Sequence, residues 1–306
     1  MKLKKLLYYK DNIRILWPTV MILILIILSE VLIVDPVGFI LEKVGLVDGS
    51  GPVQHEWTSA LHDVLKRSIR SILVLLSVAF TIKLLMGHSH RFMGISFQRH
   101  WIRHLGLGIF LGFVIQIIPL LIMLGFGWYA VEGWLWEFKP LAVLMPALLY
   151  SAIFSLETAI IEESIFRGFL MNAFTQRYNI RIGLVVSSVV FGLLHFSGFS
   201  NDFPWWLSLS SATLAGFIFG QAYLLYDNIW APLGIHFAIH FAARTLGTVG
   251  VSPDEATLLV TKVEGPVMLV VTKSGGASIL ELVGYISVFV ILLFLKKNQH
   301  RLGVGE

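Results

Sequence analysis

The chain has few charged residues and no cysteine. Charged side chains make up 14% of its 306 residues and the hydrophobic set 56%, whereas soluble domains carry roughly 25% charged and 45–50% apolar residues. The mean hydropathy is +0.80. So few charges could not cover the apolar surface of a soluble fold of this size. The composition therefore excludes a cytosolic enzyme, a disordered chain and a nucleic-acid-binding protein, and it predicts a protein that lies in a lipid bilayer.

Other missing residues and motifs exclude several kinds of catalytic or binding site. Without cysteine there is no disulfide, no thiolate metal site and no cysteine nucleophile. The sequence also has no glycine-rich phosphate loop, no Rossmann fingerprint and no GxSxG elbow. The motifs that would indicate nucleotide binding or a serine hydrolase are therefore missing.

Eight apolar stretches are candidates for membrane spans. In chain order they are Ile15–Val34, Ser71–Leu85, Leu105–Ala130, Leu141–Ile161, Ile182–Phe199, Trp205–Tyr226, Ile229–Ala243 and Ile279–Leu295. The first follows a basic segment, as in a signal peptide, but its apolar run is too long and no small-residue cleavage site follows, so we expect a retained anchor. The sequence predicts an all-α polytopic membrane protein with about eight transmembrane helices.

The distribution of charge predicts the orientation. With both termini inside, the inner segments carry 14 Lys and Arg and the outer segments 7, whereas the acidic residues divide 3 inside and 11 outside. Positive residues favour the cytoplasmic side. We therefore expect an even number of spans with both termini in the cytoplasm.

Two outer segments are long enough for structure of their own. Val37–Lys66 mixes apolar and charged residues, which is typical of an interfacial helix. Thr257–Val263 and Val267–Thr272 flank a Glu-Gly-Pro turn. This pattern predicts a small extracytoplasmic β-hairpin, although an ordinary loop remains the alternative.

Ionisable side chains inside the spans mark a candidate site, because each costs several kcal/mol in lipid unless it has a partner or a function. Glu163 and Arg167 are four residues apart, so on a helix they share a face and can pair. Glu162 is rotated by about 100° from Glu163, which leaves it available for chemistry. The alternative is that both glutamates merely lie at a cytoplasmic helix end.

Three histidines accompany these carboxylates. His236 and His240 are one turn apart on a single span, a spacing that suits a shared metal ion or two hydrogen-bond donors. His195 lies on another span, at a depth that overlaps with theirs and with that of Glu162. A carboxylate among imidazoles can take a proton from water while an imidazole or a metal stabilises the oxyanion. This set of side chains predicts hydrolysis of a peptide or amide bond without a covalent intermediate.

These residues also resemble a known family. The segments Glu162–Gly168, Phe191–His195 and His236–His240 resemble, in that order, the three motifs of the CPBP or Abi family. That family comprises the type II CAAX prenyl endopeptidases and bacteriocin-processing relatives. The resemblance covers roughly Leu141–Leu246. It divides the chain into N-terminal helices (1–140), a catalytic core of four helices (141–246), and an outer loop with a last helix (247–306).

The resemblance implies an intramembrane endopeptidase whose site opens to the cytosol. Glu162 would activate the water with help from His195, and His236 would help to form the oxyanion hole. Glu163 and Arg167 would support the helix geometry. The resemblance also implies a supporting role beside the catalytic residues for Phe191, which begins the second motif.

His240 departs from the family pattern, which usually has Asn four residues after the histidine of the third motif. An imidazole can still donate one hydrogen bond to an oxyanion, so we count His240 among the catalytic candidates. The change also makes a metal at His236 and His240 more plausible than in the usual pattern. We favour a mechanism without a cofactor and keep zinc as the alternative.

The main hypothesis is therefore a glutamate-dependent protease in a prokaryotic plasma or inner membrane. Its substrate would be a membrane-associated peptide or protein, which need not be prenylated. A non-catalytic scaffold or regulator is the first alternative, because of His240. A proton- or metal-linked transporter is the second, although it would favour repeat symmetry, and we find no repeat in the sequence.

Overall fold

The computed structural model describes residues 57–83, 100–138, 140–195, 205–246, 258–263 and 278–302, with short or isolated positions before residue 57 and at 95 and 97. The predicted first span and the predicted interfacial helix lie largely outside the described residues. The second strand of the predicted hairpin, Val267–Thr272, lies outside them altogether. These three predictions stay predictions.

Helices form most of the described chain. They are α1 (Trp57–Thr81), α2 (Trp101–Gly125), α3 (Leu135–Phe138), α4 (Leu141–Glu163), a π-helix (Ser164–Met171), α5 (Asn172–Arg177), α6 (Ile180–Leu194), α7 (Trp205–Tyr226), α8 (Trp230–Thr245) and α9 (Ile279–Leu302). Four short strands accompany them: β1 (Tyr8–Tyr9), β2 (Asn12–Ile13), β3 (Tyr129–Trp134) and β4 (Leu259–Val263). The helical architecture agrees with the predicted fold class.

Three helices in the described part of the chain are long and apolar enough to cross a membrane. They are α2, α7 and the segment Ile279–Lys297 of α9, while α6 is apolar but shorter. Many of their large apolar side chains face outward, among them Phe110 on α2 and Phe294 on α9. Such surfaces suit lipid rather than water. The count of eight spans and the position of the termini stay predictions.

Helices α2 and α8 approach closely through glycine. A Cβ atom at Gly108 would collide with the carbonyl oxygen of Ala231, and one at Gly234 would collide with that of Leu105. Small residues let two helix backbones touch, which is the usual way helices associate in lipid. Ile235, next to Gly234, is fully buried in the main core. The helix that carries His236 and His240 is therefore held directly against α2.

The third predicted span is too long at its C-terminal end. Helix α2 ends at Gly125, and Gly127 turns the chain with a φ of 69° before strand β3 begins. The prediction continued to Ala130 because the residues of β3 that follow the turn are also apolar. Hydropathy alone does not distinguish an apolar strand from the end of an apolar helix.

Strand β4 lies where the first strand of the hairpin was predicted. Its partner among the described residues is β3, which pairs with it antiparallel, with an irregularity between Val131 and Gly133. The hydroxyl of Tyr129, at the start of β3, donates a 2.6 Å hydrogen bond to the carbonyl of Leu246, just after α8. The sheet is therefore connected to the end of the histidine-bearing helix.

The fifth predicted span, Ile182–Phe199, also differs from the structure. Helix α6 ends at Leu194, and His195 is its C-terminal cap. Gly216 of α7 faces the backbone of Ser188 so closely that a Cβ atom there would lie 2.8 Å from the Cα atom of Ser188. His195 is therefore held at the end of a tightly packed helix pair rather than within a helix.

Candidate active site

The two neighbouring glutamates lie where α4 passes into the π-helix. Glu163 is the last residue of α4, and Ser164 is the first residue of the π segment. The Glu163 side chain is fully buried, whereas the Glu162 side chain is 23% exposed. A π segment widens the helical turn and is frequent at functional sites. The junction thus presents two adjacent carboxylates in different environments.

Glu163 joins two elements of the site. Its Oε1 atom accepts a 2.9 Å hydrogen bond from the guanidinium of Arg167 and another, also of 2.9 Å, from Nδ1 of His236. All three side chains are at most 3% exposed. The contact of Glu163 with Arg167 agrees with the helical spacing, while its contact with His236 was not expected. One buried carboxylate oxygen therefore links the end of α4 to α8.

Arg167 is enclosed by aromatic rings. Its guanidinium lies 4.9 Å from the ring centres of Phe191 and Phe219. It also donates a 2.9 Å hydrogen bond to the carbonyl oxygen of Gly216 on α7. Aromatic faces attract cations, most strongly where water is excluded. The buried charge of Arg167 is therefore stabilised by a carboxylate, a carbonyl and two rings.

Glu162 faces two imidazoles. Its Oε2 atom lies 3.5 Å from Nε2 of His195 and 3.7 Å from Nε2 of His236. This oxygen has no hydrogen-bond partner among the described residues. The His195 side chain is 37% exposed, whereas that of His236 is 3% exposed. Glu162 and His195 form the accessible side of the site, and His236 forms its buried side.

Hydrogen bonds assign the tautomers of two histidines. Nδ1 of His195 lies 2.8 Å from the carbonyl oxygen of Phe191, which can only accept, so Nδ1 carries the proton. Nδ1 of His236 lies against Glu163 Oε1, which already accepts from Arg167, so this Nδ1 is a donor too. In their neutral forms both rings therefore direct an unprotonated Nε2 atom towards Glu162.

His240 completes the row of imidazoles. Its Nε2 atom lies 3.0 Å from Nε2 of His236, and the two rings stack with centres 4.9 Å apart. Because Nε2 of a neutral His236 is an acceptor, the proton between the two rings belongs to His240. The ring of Phe219 stacks on His236 at 4.7 Å. His236 is therefore fixed by Glu163, His240 and Phe219.

The donor set fits a metal ion only in part. His236 and His240 offer two facing nitrogens, and the contact of His236 with Glu163 resembles the outer-shell partner of a metal-bound histidine. A catalytic zinc site needs three protein ligands. In the described parts of the chain, no group of three His, Asp or Glu side chains has the arrangement of a metal site. We therefore assign no ligand set from the geometry.

The structure brings the sequence-predicted residues into one site. Glu162, His195, His236 and His240 converge, with Glu163, Arg167 and Phe191 around them. Sequence reasoning missed Phe219 and the carbonyl of Gly216, which contact Arg167 from α7. A backbone carbonyl leaves no mark in the sequence, and a single phenylalanine in an apolar span gives no signal of its role.

Comparison with known proteins identifies part of the chain. Residues 143–242 match the family described as Rce1-like, type II CAAX prenyl endopeptidase. No curated protein and no solved structure matches the chain. The matched segment contains all seven predicted site residues. The resemblance seen in the motifs is thus confirmed over this segment, and together with the apolar helices it indicates a multi-pass integral membrane protein.

Proposed function

From the place of residues 143–242 in the Rce1-like family of type II CAAX prenyl endopeptidases, we propose that this chain is a glutamate-dependent intramembrane endopeptidase. The family supports peptidase activity in general. The observation that carries the specific proposal is that Oε2 of Glu162 lies within 4 Å of two imidazole Nε2 atoms, at 3.5 and 3.7 Å. This carboxylate oxygen has no other partner in the described chain.

In the proposed reaction, Glu162 is the general base. It accepts a proton from a water molecule, and the resulting hydroxide attacks the carbonyl carbon of the scissile peptide bond. Nε2 of His195 is a second acceptor on the accessible side of the site, since its Nδ1 proton is bound to the Phe191 carbonyl. His195 thereby helps to orient the water. The proton held by Glu162 then passes to the leaving amine.

His236 and His240 would stabilise the oxyanion. The two rings share one proton across the 3.0 Å between their Nε2 atoms. When the substrate carbonyl enters, the Nε2–H group of His240 would turn from Nε2 of His236 to the negative oxygen of the tetrahedral intermediate. In this role His240 takes the place of the Asn that the family usually has, because either side chain supplies an N–H donor at that position.

Glu163 and Arg167 would act through His236. The Glu163 carboxylate holds Nδ1 of His236 and so fixes the ring orientation, while Arg167 compensates the carboxylate charge. Such a support keeps the reacting nitrogens in place during catalysis. Neither side chain needs to touch the substrate.

The proposed substrate is a peptide or protein in or at the membrane. The apolar helices α2, α7 and α9 support this class, since they are long and apolar enough to hold the protein in the bilayer, where such a substrate lies. We propose both termini in the cytoplasm of a prokaryotic cell, from the charge asymmetry, and a side-chain mechanism that needs no cofactor. A prenyl group on the substrate is not required by any of these residues.

The test compares the membrane-proteome termini of cells that carry the wild-type protein, Glu162→Gln or Glu132→Gln. Glu132 is an exposed carboxylate on β3 and serves as the matched control. We expect a set of cleaved termini with the wild type and with Glu132→Gln that is lost with Glu162→Gln. Identical termini in all three would contradict a protease and favour the scaffold.

A further inference from the structure

Large aromatic side chains are exposed between the end of α2 and the start of α4. Phe126 stacks on Trp128 with ring centres 4.7 Å apart, and Trp134 stacks on Trp136 at 4.4 Å. Phe126 is 67% exposed, and the two tryptophans of the second pair are 44% and 46% exposed. We call these four residues the aromatic patch. So much exposed aromatic surface indicates an interaction with another molecule.

The segment that carries the aromatic patch is packed on two helices. Within this segment Tyr129 and Leu135 point inward and are 3% and 1% exposed. Tyr129 packs with Met123 of α2, and Leu135 packs with Leu144 of α4. The four rings therefore project from a fixed surface of the protein and not from a free loop.

The aromatic patch continues two apolar faces that point away from the core. On α2 the exposed residues of this face are Phe110, Ile117, Leu121 and Leu124, and on α4 they are Leu141, Met145 and Leu149. Their spacing of three, four or seven residues places each set on one side of its helix. Phe126 follows the first set by two residues, and Trp136 precedes the second by five. Because such apolar faces suit lipid, the aromatic patch lies where the lipid-facing surface ends.

The surroundings of the aromatic patch exclude the hydrocarbon interior of the bilayer. The backbone N–H of Trp134 donates a 3.0 Å hydrogen bond to Oε2 of Glu137, which is exposed. Among the described strands β3 pairs with β4 alone, so one edge of β3 has no strand partner. An exposed carboxylate and unpaired backbone groups both require water or lipid headgroups. The segment combines these polar groups with apolar rings, which is typical of tryptophan-rich segments at membrane interfaces.

We propose that the aromatic patch binds the lipid–water interface of the bilayer and anchors the adjoining end of α8 at that level. Two hydrogen bonds connect the sheet to α8. The Tyr129 hydroxyl donates to the carbonyl oxygen of Leu246 at 2.6 Å, and the N–H of Leu258 donates to that of Thr245 at 2.9 Å. The partner of the patch is lipid, in the region where headgroups meet acyl chains. This inference does not depend on the proposed function.

The anchor sets the depth of the candidate site. Thr245 follows His236 on α8 by nine residues, or about 14 Å at 1.5 Å per residue. A Cβ atom at Gly112 of α2 would collide with the carbonyl oxygen of Ile235, next to His236. Phe110 is exposed two residues from Gly112, so it marks the level of His236 on the lipid-facing side. An interface lies roughly 15–22 Å from the bilayer centre, which places the level of His236 within about 10 Å of the centre.

Spin labels test this placement, because the chain has no cysteine and a single introduced cysteine carries the label. Val131, an exposed residue of β3, and Phe110 are replaced by cysteine in separate full-length proteins, which are reconstituted in phosphatidylcholine vesicles. Collisions with oxygen, which enters lipid, and with a water-soluble nickel chelate give the depth of each label. We expect labelled Val131→Cys at about 15–22 Å from the bilayer centre. We expect labelled Phe110→Cys within about 10 Å of the centre.

Further variants connect the depth of the Val131 label to the tryptophans. Trp134→Ser combined with Trp136→Ser should move the label towards water by more than about 5 Å. Trp134→Tyr combined with Trp136→Tyr should keep the label in place, because tyrosine also prefers the interface. The matched control is Trp206→Ser, an exposed tryptophan at the start of α7, and it should keep the wild-type depth.

Three results would overturn the inference while the proposed function stands. In the first, the Val131 label collides with the nickel chelate as freely as a label in solution, which would make the aromatic patch a surface for a soluble partner. In the second, the Val131 and Phe110 labels lie at the same depth. In the third, the double serine variant keeps the wild-type depth. The depth of the label in the otherwise unchanged protein decides the inference even if the serine variant does not fold.

Discussion

Glu163 and His236 are joined by a 2.9 Å hydrogen bond between Oε1 and Nδ1, from one buried side chain to another. The same oxygen accepts from Arg167. A single carboxylate therefore fixes the tautomer of a histidine and compensates a buried guanidinium. This relationship explains why two adjacent glutamates lie in different environments: Glu163 is buried against Arg167 and His236, while Glu162 faces the accessible side.

Replacing Glu163 should lower the stability of the protein. Glu163→Gln leaves the buried guanidinium of Arg167 without its counter-charge, and the loss of one partner of a buried ion pair costs about 3–5 kcal/mol. Thermal unfolding in detergent measures the effect. The matched control is Glu132→Gln on the exposed face of β3, which should change stability by less than about 0.5 kcal/mol. An unchanged unfolding temperature for Glu163→Gln would contradict the supporting role.

The side chain at position 240 should act as a hydrogen-bond donor to the oxyanion. His240→Asn keeps one N–H group near Nε2 of His236 and should retain the cleavage rate within about tenfold. His240→Ala removes the donor and should reduce the rate by about 10²–10³. The rates are measured on a substrate identified from the membrane-proteome termini. Equal rates for His240→Ala and the wild type would remove His240 from the site.

The close contact of α2 and α8 should not tolerate even a methyl group. Gly108→Ala places a Cβ atom against the carbonyl oxygen of Ala231, which forces the backbones apart, and such overpacking costs about 1–3 kcal/mol. Gly106→Ala on the same helix meets nothing within 4 Å and is the matched control. Unfolding of the two variants in detergent provides the comparison. If both unfold like the wild type, the helices are not as close as described.

The proposed mechanism predicts that activity is independent of metal. Among the described residues, no three His, Asp or Glu side chains have the arrangement of a metal site, and a catalytic zinc ion needs three protein ligands. Protein treated with a chelator and then dialysed should keep its full cleavage rate. Elemental analysis of the active protein is the accompanying measurement. About one equivalent of zinc per chain, with inhibition by the chelator and recovery on adding zinc, would contradict the side-chain mechanism.

Sequence periodicity predicted some elements well and others poorly. The bounds of α7, Trp205–Tyr226, agree with the predicted span, because Gly, Pro and polar residues flank an apolar run. The π-helix Ser164–Met171 was not predicted, since its residues have the same composition as an α-helix. The pairing of β4 with β3 was missed because its partner lies more than a hundred residues earlier in the chain. Local patterns carry little information about such distant contacts.

The candidate site residues were predictable for a physical reason. Glu162, His195, His236 and His240 are ionisable residues in apolar segments, where each needs an explanation. Glu157 gave the same signal, but its partner Arg67 is 90 residues away, so the sequence could not show the pair. The role of Phe219 beside Arg167 left no signal, since an apolar residue in an apolar helix is expected everywhere.

In the proposed reaction, Glu162 takes the proton from the attacking water. The most direct measurement is the cleavage rate of purified Glu162→Gln protein in lipid vesicles. The substrate is one identified from the membrane-proteome termini. The wild type and Glu132→Gln are measured beside it, and all three proteins must have equal thermal stability. We expect the rate to fall by about 10²–10⁴ for Glu162→Gln and not to change for Glu132→Gln. A Glu162→Gln protein that cleaves at the wild-type rate would contradict it.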